Sequence, residues 1–172
     1  MIGWNESIKK ELKHCGENVF IANNVLFTNP SEVVLHDNVR IDPFCLITTK
    51  LEVGSYVQIC SHTVLGGGKD QKITLGNWSF IGYYGPVNEF WGSNKIYRGD
   101  ITFGDYSGIA SDVMVFPKVN IPTGCTVGAK SFVYTKNNLK EWSVFIGNPI
   151  KFHKLRNRGN VIKLSKDKDW LK

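Results

Sequence analysis

The sequence predicts an all-β fold, a parallel β-helix with three flat faces per turn, and three observations carry that prediction. An aliphatic or aromatic residue stands at every sixth position from Phe103 through Ile109, Val115, Ile121 and Val127 to Val133. A block of one shape then recurs as H-D-N-V-R-I (36–41), G-S-Y-V-Q-I (54–59), G-N-W-S-F-I (76–81), G-D-Y-S-G-I (104–109) and P-T-G-C-T-V (122–127), with starts 18, 22, 28 and 18 residues apart. Finally, with the phase held, Leu35, Ile41, Ile47, Val53, Ile59, Leu65, Leu75, Ile81, Val87 and the six residues above are all apolar. Neither a helical nor an alternating period gives six, whereas short flat strands joined by tight corners do. Eighteen residues are three hexads, so one turn takes three faces. Each inward side chain contributes about 1.5–3 kcal/mol on burial, opposed by the entropy of ordering it.

Taken in order, residues 1–14 are expected to form a capping helix, with Asn5 or Ser7 ahead of I-K-K-E-L-K-H and Ile8 and Leu12 on one face. Such a cap would cover the exposed rungs of a repeat stack. Residues 15–137 are the β-helix. The irregular spacings place insertions at 66–72 (G-G-G-K-D-Q and onward) and at 88–100 (N-E-F-W-G-S-N-K-I-Y-R-G and onward). Both leave the prism at the same corner, so the two loops should lie one above the other, where a rigid scaffold presents a site. Residues 138–172 form a C-terminal segment in which I-K-F-H-K-L-R-N-R, after Pro149, is expected to be a short basic helix.

The composition, 42% hydrophobic and 21% charged, is that of an ordinary globular domain. No apolar run reaches the roughly 20 residues of a membrane helix, and the N-terminus lacks the apolar core of a secretory signal, so a cytoplasmic location is expected. Cys15, Cys45, Cys60 and Cys125 form no C-x-x-C pair and read as free thiols. The net charge of +6 favours anionic ligands, but its late cluster lacks the interleaved aromatics of a nucleic-acid surface. G-G-G-K-D lacks phosphate-loop spacing, and the histidines do not gather in threes as a zinc site requires.

The hexads, the glycine-rich insertion, G-A-K-S-F-V-Y-T-K and the closing W-S-V-F-I-G-N-P-I-K resemble the left-handed β-helix acyltransferases. Within them the galactoside and maltose O-acetyltransferases and bacterial surface-glycan acetyltransferases are most similar. The resemblance implies the left hand, a homotrimer, acetyl-CoA as co-substrate and active sites between neighbouring prisms. Carried over residue by residue, it places Ser111 (in I-A-S-D) beside the pantetheine and Ala129 at a main-chain cofactor contact. It places Thr135 and Lys136 near the nucleotide end, one residue later than in the family, and Lys154 near the phosphates. The family's catalytic histidine is missing from the loop after Val87, which reads N-E-F-W-G-S.

Acyl transfer needs a base near the acceptor proton, and histidine titrates near working pH. Among His14, His36, His62 and His153, only His62 falls near the insertions, three residues after rung Ile59 and ahead of Gly66. Its expected neighbours are Phe44 and Tyr84 of the adjoining turns. A carboxylate could orient it, from Glu89 or Asp112. Tyr84, Glu89 and Trp91 are the candidate acceptor contacts. The expectation is acetyl-CoA-dependent O-acetylation of a sugar or glycan precursor with His62 as general base and no metal. N-acetylation of an amino-sugar nucleotide and a non-catalytic trimeric scaffold are the alternatives.

Overall fold

The computed structural model describes residues 3–166, with the side chains of Phe90 and Trp91 excepted. It is a parallel β-solenoid whose strands stack into three faces. The first face carries His14–Cys15, Val33–Leu35, Lys50–Val53, Lys72–Leu75, Ile101–Phe103 and Asn120–Ile121. The second carries Phe20–Ile21, Arg40–Ile41, Gln58–Ile59, Phe80–Ile81, Gly108–Ile109, Thr126–Val127 and Ser143–Ile146. The third carries Leu26–Phe27, Leu46–Ile47 and Val64–Leu65, then Met114–Val115 and Phe132–Val133. Rung stacks on rung in register, Ile41 on Ile59 and Ile81 on Ile109 among them.

Fourteen of the fifteen expected rungs are buried to 2% exposure or less. Val87 is the exception and is half-buried. It bridges Gly66 instead of Leu65, a slip of one residue with a local cause. Leu46 and Met114 donate their backbone N–H to the turn above, through Thr63 O and Ser131 O. Pro86 occupies the equivalent place and has no N–H to give. Val87 donates to Val115 O in its stead, and the third sheet divides there into two parts.

The corners need a left-handed backbone, and among the described residues twelve non-glycines supply it, with φ from 51° at Trp142 to 66° at Lys118. That conformation is costly for an L-residue, and the stacked ladder on either side offsets the cost. Where the first face meets the second, the corner residues are Tyr56, Trp78 and Tyr106, with Trp142 after them. Tyr56 and Trp78 stack at 4.1 Å and 2° between planes, and Trp78 lies parallel to Tyr106 at 6.4 Å. This aromatic ladder braces one vertex of the prism.

Both ends differ from expectation. The N-terminal cap is a single 3-10 turn, Ile8–Lys10, in place of a helix through residue 14. Asn5 does cap it, its side-chain oxygen accepting from Ile8 N at 3.2 Å. His14 and Cys15 are drawn out as a strand against Val34 and Leu35, and what remains is too short for a stable helix. At the other end, Lys151–Leu155 is a strand and no helix. It turns back at Gly147 (φ 95°) and runs antiparallel along Ser143–Ile146. Pairing covers an edge that would otherwise stand open. The helix follows at Arg158–Ser165, with the Asn157 side chain accepting from Asn160 N at 3.0 Å. Arg156 ties this end to the prism through hydrogen bonds from one guanidinium nitrogen to the carbonyl oxygens of Tyr106 and Gly124.

No helix among the described residues is long and apolar enough to cross a membrane.

Candidate functional site

The third face is bounded by two edges, and the expected site residues divide between them. The edge before it is a column of left-handed corners: Phe44 (φ 63°), His62 (59°), Tyr84 (56°), Asp112 (59°) and Lys130 (58°). Backbone hydrogen bonds link the column from turn to turn, from His62 N to Pro43 O, Asp112 N to Tyr83 O and Lys130 N to Ser111 O. The exposed His62 ring packs on Phe44 with centroids 5.0 Å apart. Tyr84 occupies the next corner along and is 57% exposed. Ser111, half-buried, and Ala129, exposed, immediately precede Asp112 and Lys130 and so stand on this edge. One vertex therefore carries His62, Tyr84, Ser111 and Ala129 in successive turns.

The edge after the third face carries both insertions. The segment 88–99 holds an antiparallel hairpin of Glu89–Trp91 and Ile96–Arg98. Arg98 Nε donates to the Glu89 carboxylate at 2.6 Å. A methyl group on Gly68 would fall 2.6 Å from that same carboxylate, and one on Gly67 would overlap the Asn88 amide. The glycines thus clear space for the chain's own second insertion. The first insertion is gripped from the turn below as well. Gly67 N donates to Thr48 Oγ1 at 3.1 Å, and Thr49 Oγ1 donates to Gln71 O at 2.7 Å.

Further along this edge the hairpin overhangs a groove of about 850 Å³. Lys95, Arg98, Lys118, Thr135 and Lys136 line it, together with Phe116 and Tyr134, whose rings stack at 4.5 Å. Thr135 and Lys136 are where the resemblance would put a nucleotide. Lys118, Lys95 and Arg98 were not singled out in the sequence. Lys118 could have been, since it fills the corner next after rung Val115. Cations around stacked aromatic rings suit a phosphate-bearing ligand with a flat ring.

His62 and the insertions are separated by the width of the third face, so Glu89 does not stand at the His62 corner of the same chain. Lys154 lies exposed on the strand Lys151–Leu155, opposite Val144, and is not part of the groove lining. The side chain of Trp91 lies outside the described residues. Among the described residues no group of three or more His, Cys, Asp or Glu side chains is placed to hold a metal ion. Two buried thiols, Cys45 and Cys125, are pushed up to about 12 by desolvation, which leaves them inert as nucleophiles.

The outward residues of the third face are Leu26, Leu46, Val64, Met114 and Phe132, an apolar column interrupted only at the slipped turn, where Pro86 lies level with rung Leu65 and is buried. Leu26 is 65% and Phe132 38% exposed. The first face shows water Glu52, Thr74, Thr102 and Asn120 at the corresponding places.

No protein-family model matches the chain. A dTDP-4-amino-4,6-dideoxy-D-glucose acyltransferase of Escherichia coli is 26% identical over 158 residues, covering 81% of this chain and 80% of the relative. The structure superposes on AntD, an N-acyltransferase from Bacillus cereus, in complex with dTDP and 3-hydroxybutyryl-CoA, with TM-score 0.83, 26% identity and 96% of each chain covered. A serine-to-alanine variant of AntD holding dTDP-4-amino-4,6-dideoxyglucose and coenzyme A gives TM-score 0.83 at 28% identity, over 96% of this chain and 97% of that one. A maltose O-acetyltransferase from Clostridium difficile shares the fold, with TM-score 0.56 at 15% identity, over 88% of this chain and 73% of that one. By its repeats and stacked faces the chain has the left-handed β-helix fold, and over nearly its whole length it is similar to sugar acyltransferases of the hexapeptide-transferase type.

Proposed function

We propose that this protein is an acyl-CoA-dependent N-acyltransferase acting on a nucleotide-linked amino sugar. The observation that carries the reading is the match to AntD over 96% of the chain, against a weaker and shorter match to the maltose O-acetyltransferase. This replaces hydroxyl acetylation as the favoured activity. A dTDP-linked 4-amino sugar is the acceptor that the relatives suggest, and the donor can be acetyl-CoA or a longer acyl-CoA.

In this reading the site forms between two copies of a homotrimer. Turning the third face toward a threefold axis would bury its apolar column and bring the His62 edge of one prism against the insertion edge of the next. The acyl chain and pantetheine run along Ser111 and Ala129. The nucleotide end lies in the cationic groove with Thr135 and Lys136, and Lys154 approaches the phosphates from the C-terminal strand. Glu89, with Tyr84, meets the amino sugar.

The chemistry is direct transfer. The amine attacks the thioester carbonyl carbon, and the C–S bond breaks as the tetrahedral intermediate collapses, so that coenzyme A leaves as the thiolate. His62 takes the proton that the nitrogen loses as the amide forms and passes it to the sulfur, releasing the thiol. An amine that is already neutral asks less of this base than a hydroxyl would. The test is coenzyme A release from acetyl-CoA with an amino-sugar nucleotide beside its hydroxy-sugar analogue. Turnover of the hydroxy sugar alone would contradict the proposal.

A further inference from the structure

The geometry points to Asn88, acting with Thr49, as a positioning residue that fixes both insertions and thereby sets the Glu89 carboxylate. Asn88 is completely buried and touches three separate parts of the chain. Its backbone N donates to Gly66 O at 2.8 Å, at the root of the first insertion, and its carbonyl accepts from Gly99 N at 3.1 Å, where the second insertion closes. Its side-chain Nδ2 donates to Thr49 Oγ1 at 2.7 Å, one turn further down the prism.

The direction of that last bond is forced. A hydroxyl has one proton, and Thr49 directs it to Gln71 O at 2.7 Å. Only the NH₂ end of the amide can then face Thr49. The remaining amide oxygen is buried without a hydrogen-bond donor among the described residues and lies against Gly67. A fold under no other demand would place an apolar side chain there, since an unsatisfied buried acceptor is costly. What Asn88 supplies in return is a rigid node joining three turns. The next residue is Glu89, whose carboxylate is held by Arg98 and rests against Gly68. A shift of the node therefore moves the carboxylate and the hairpin above the cationic groove.

This inference rests on the reading that the hairpin borders the acyl-transfer site. The test compares Thr49→Val, which keeps the shape and removes the hydroxyl, with Thr49→Ser, which keeps the hydroxyl. Both are assayed for acyl transfer to an amino-sugar nucleotide per native trimer, with Tm measured alongside. Thr49→Val should lower kcat by about tenfold to a hundredfold, the cost of misplacing a reacting group, while KM for acyl-CoA stays unchanged. Thr49→Ser should recover the rate. Asn88→Asp, which cannot donate to Thr49, should reproduce the Thr49→Val defect. Equal kcat per native trimer in Thr49→Val and Thr49→Ser would overturn the proposal, as would a loss explained wholly by a lower Tm. A silent Glu89→Gln variant would defeat the site reading itself; an impaired Glu89→Gln beside a silent Thr49→Val would defeat only the positioning role.

Discussion

His62 and Glu89 border the same face of the prism from opposite edges: His62 at the corner between Gln58–Ile59 and Val64–Leu65, Glu89 just past the slipped residue Val87. In the trimer proposed above, two copies packed on that face bring the two residues to one acceptor. Refolded mixtures of impaired His62→Ala and Glu89→Gln chains should therefore regain about a quarter of native activity, because one in four neighbouring edges is then intact in a random trimer. No recovery on mixing would place both residues in one prism's site.

As general base, His62 is tested by His62→Ala. The expected fall in kcat is about a hundredfold, the lower end of what a positioned base contributes, with Tm within a degree or two because the side chain is exposed. Raising the pH should recover part of the loss as more acceptor amine is neutral. An undiminished rate at pH 7 would remove His62 from the mechanism.

Within the prism, the two glycines Gly82 and Gly108 offer a graded test. A methyl group on Gly82 would lie 2.5 Å from the Ala110 backbone, which cannot yield, whereas the nearest atoms to one on Gly108 belong to the Phe80 ring, at 2.4 Å. Gly82→Ala should be the more destabilising in urea denaturation. Removing a central rung by Ile109→Ala should cost about 2–5 kcal/mol.

The rungs were legible because each hexad commits a single side chain to the interior, and that signal survives at Leu35 as clearly as at Val133. The slip at Val87 was not, because Val fits the period and the cause is the missing N–H of Pro86, one residue away. K-F-H-K-L had no period long enough to separate a strand from a helix, and only the open edge of Ser143–Ile146 decides the matter. Three residues separate His62 from the first insertion, but those residues cross a whole face, so nearness along the chain misled about nearness in space. Lys95 and Arg98 lay hidden in an insertion with no repeat to align it.

Cys45 and Cys125 carry a pH dependence whose sign is fixed by burial. Each thiol is raised from 9.0 to about 12 in the folded chain, chiefly by desolvation. The folded state then holds protons that the unfolded chain releases, so their contribution to stability is present below pH 9 and is lost between about pH 9 and 12. Tm should decline across that window. Neither thiol should react with a disulfide reagent at pH 8 until the protein is denatured. Rapid labelling of Cys45 or Cys125 in the native state would contradict their burial.

Acyl transfer to nitrogen is the central claim, and the most direct measurement is coenzyme A release from acetyl-CoA and 3-hydroxybutyryl-CoA with dTDP-4-amino-4,6-dideoxyglucose and, in parallel, with a galactoside and maltose. Saturable thiol release with the amino sugar, yielding an amide product by mass spectrometry and no turnover of the hydroxy sugars, is the predicted result. Ester formation on galactoside or maltose with the amino sugar left unchanged would contradict it.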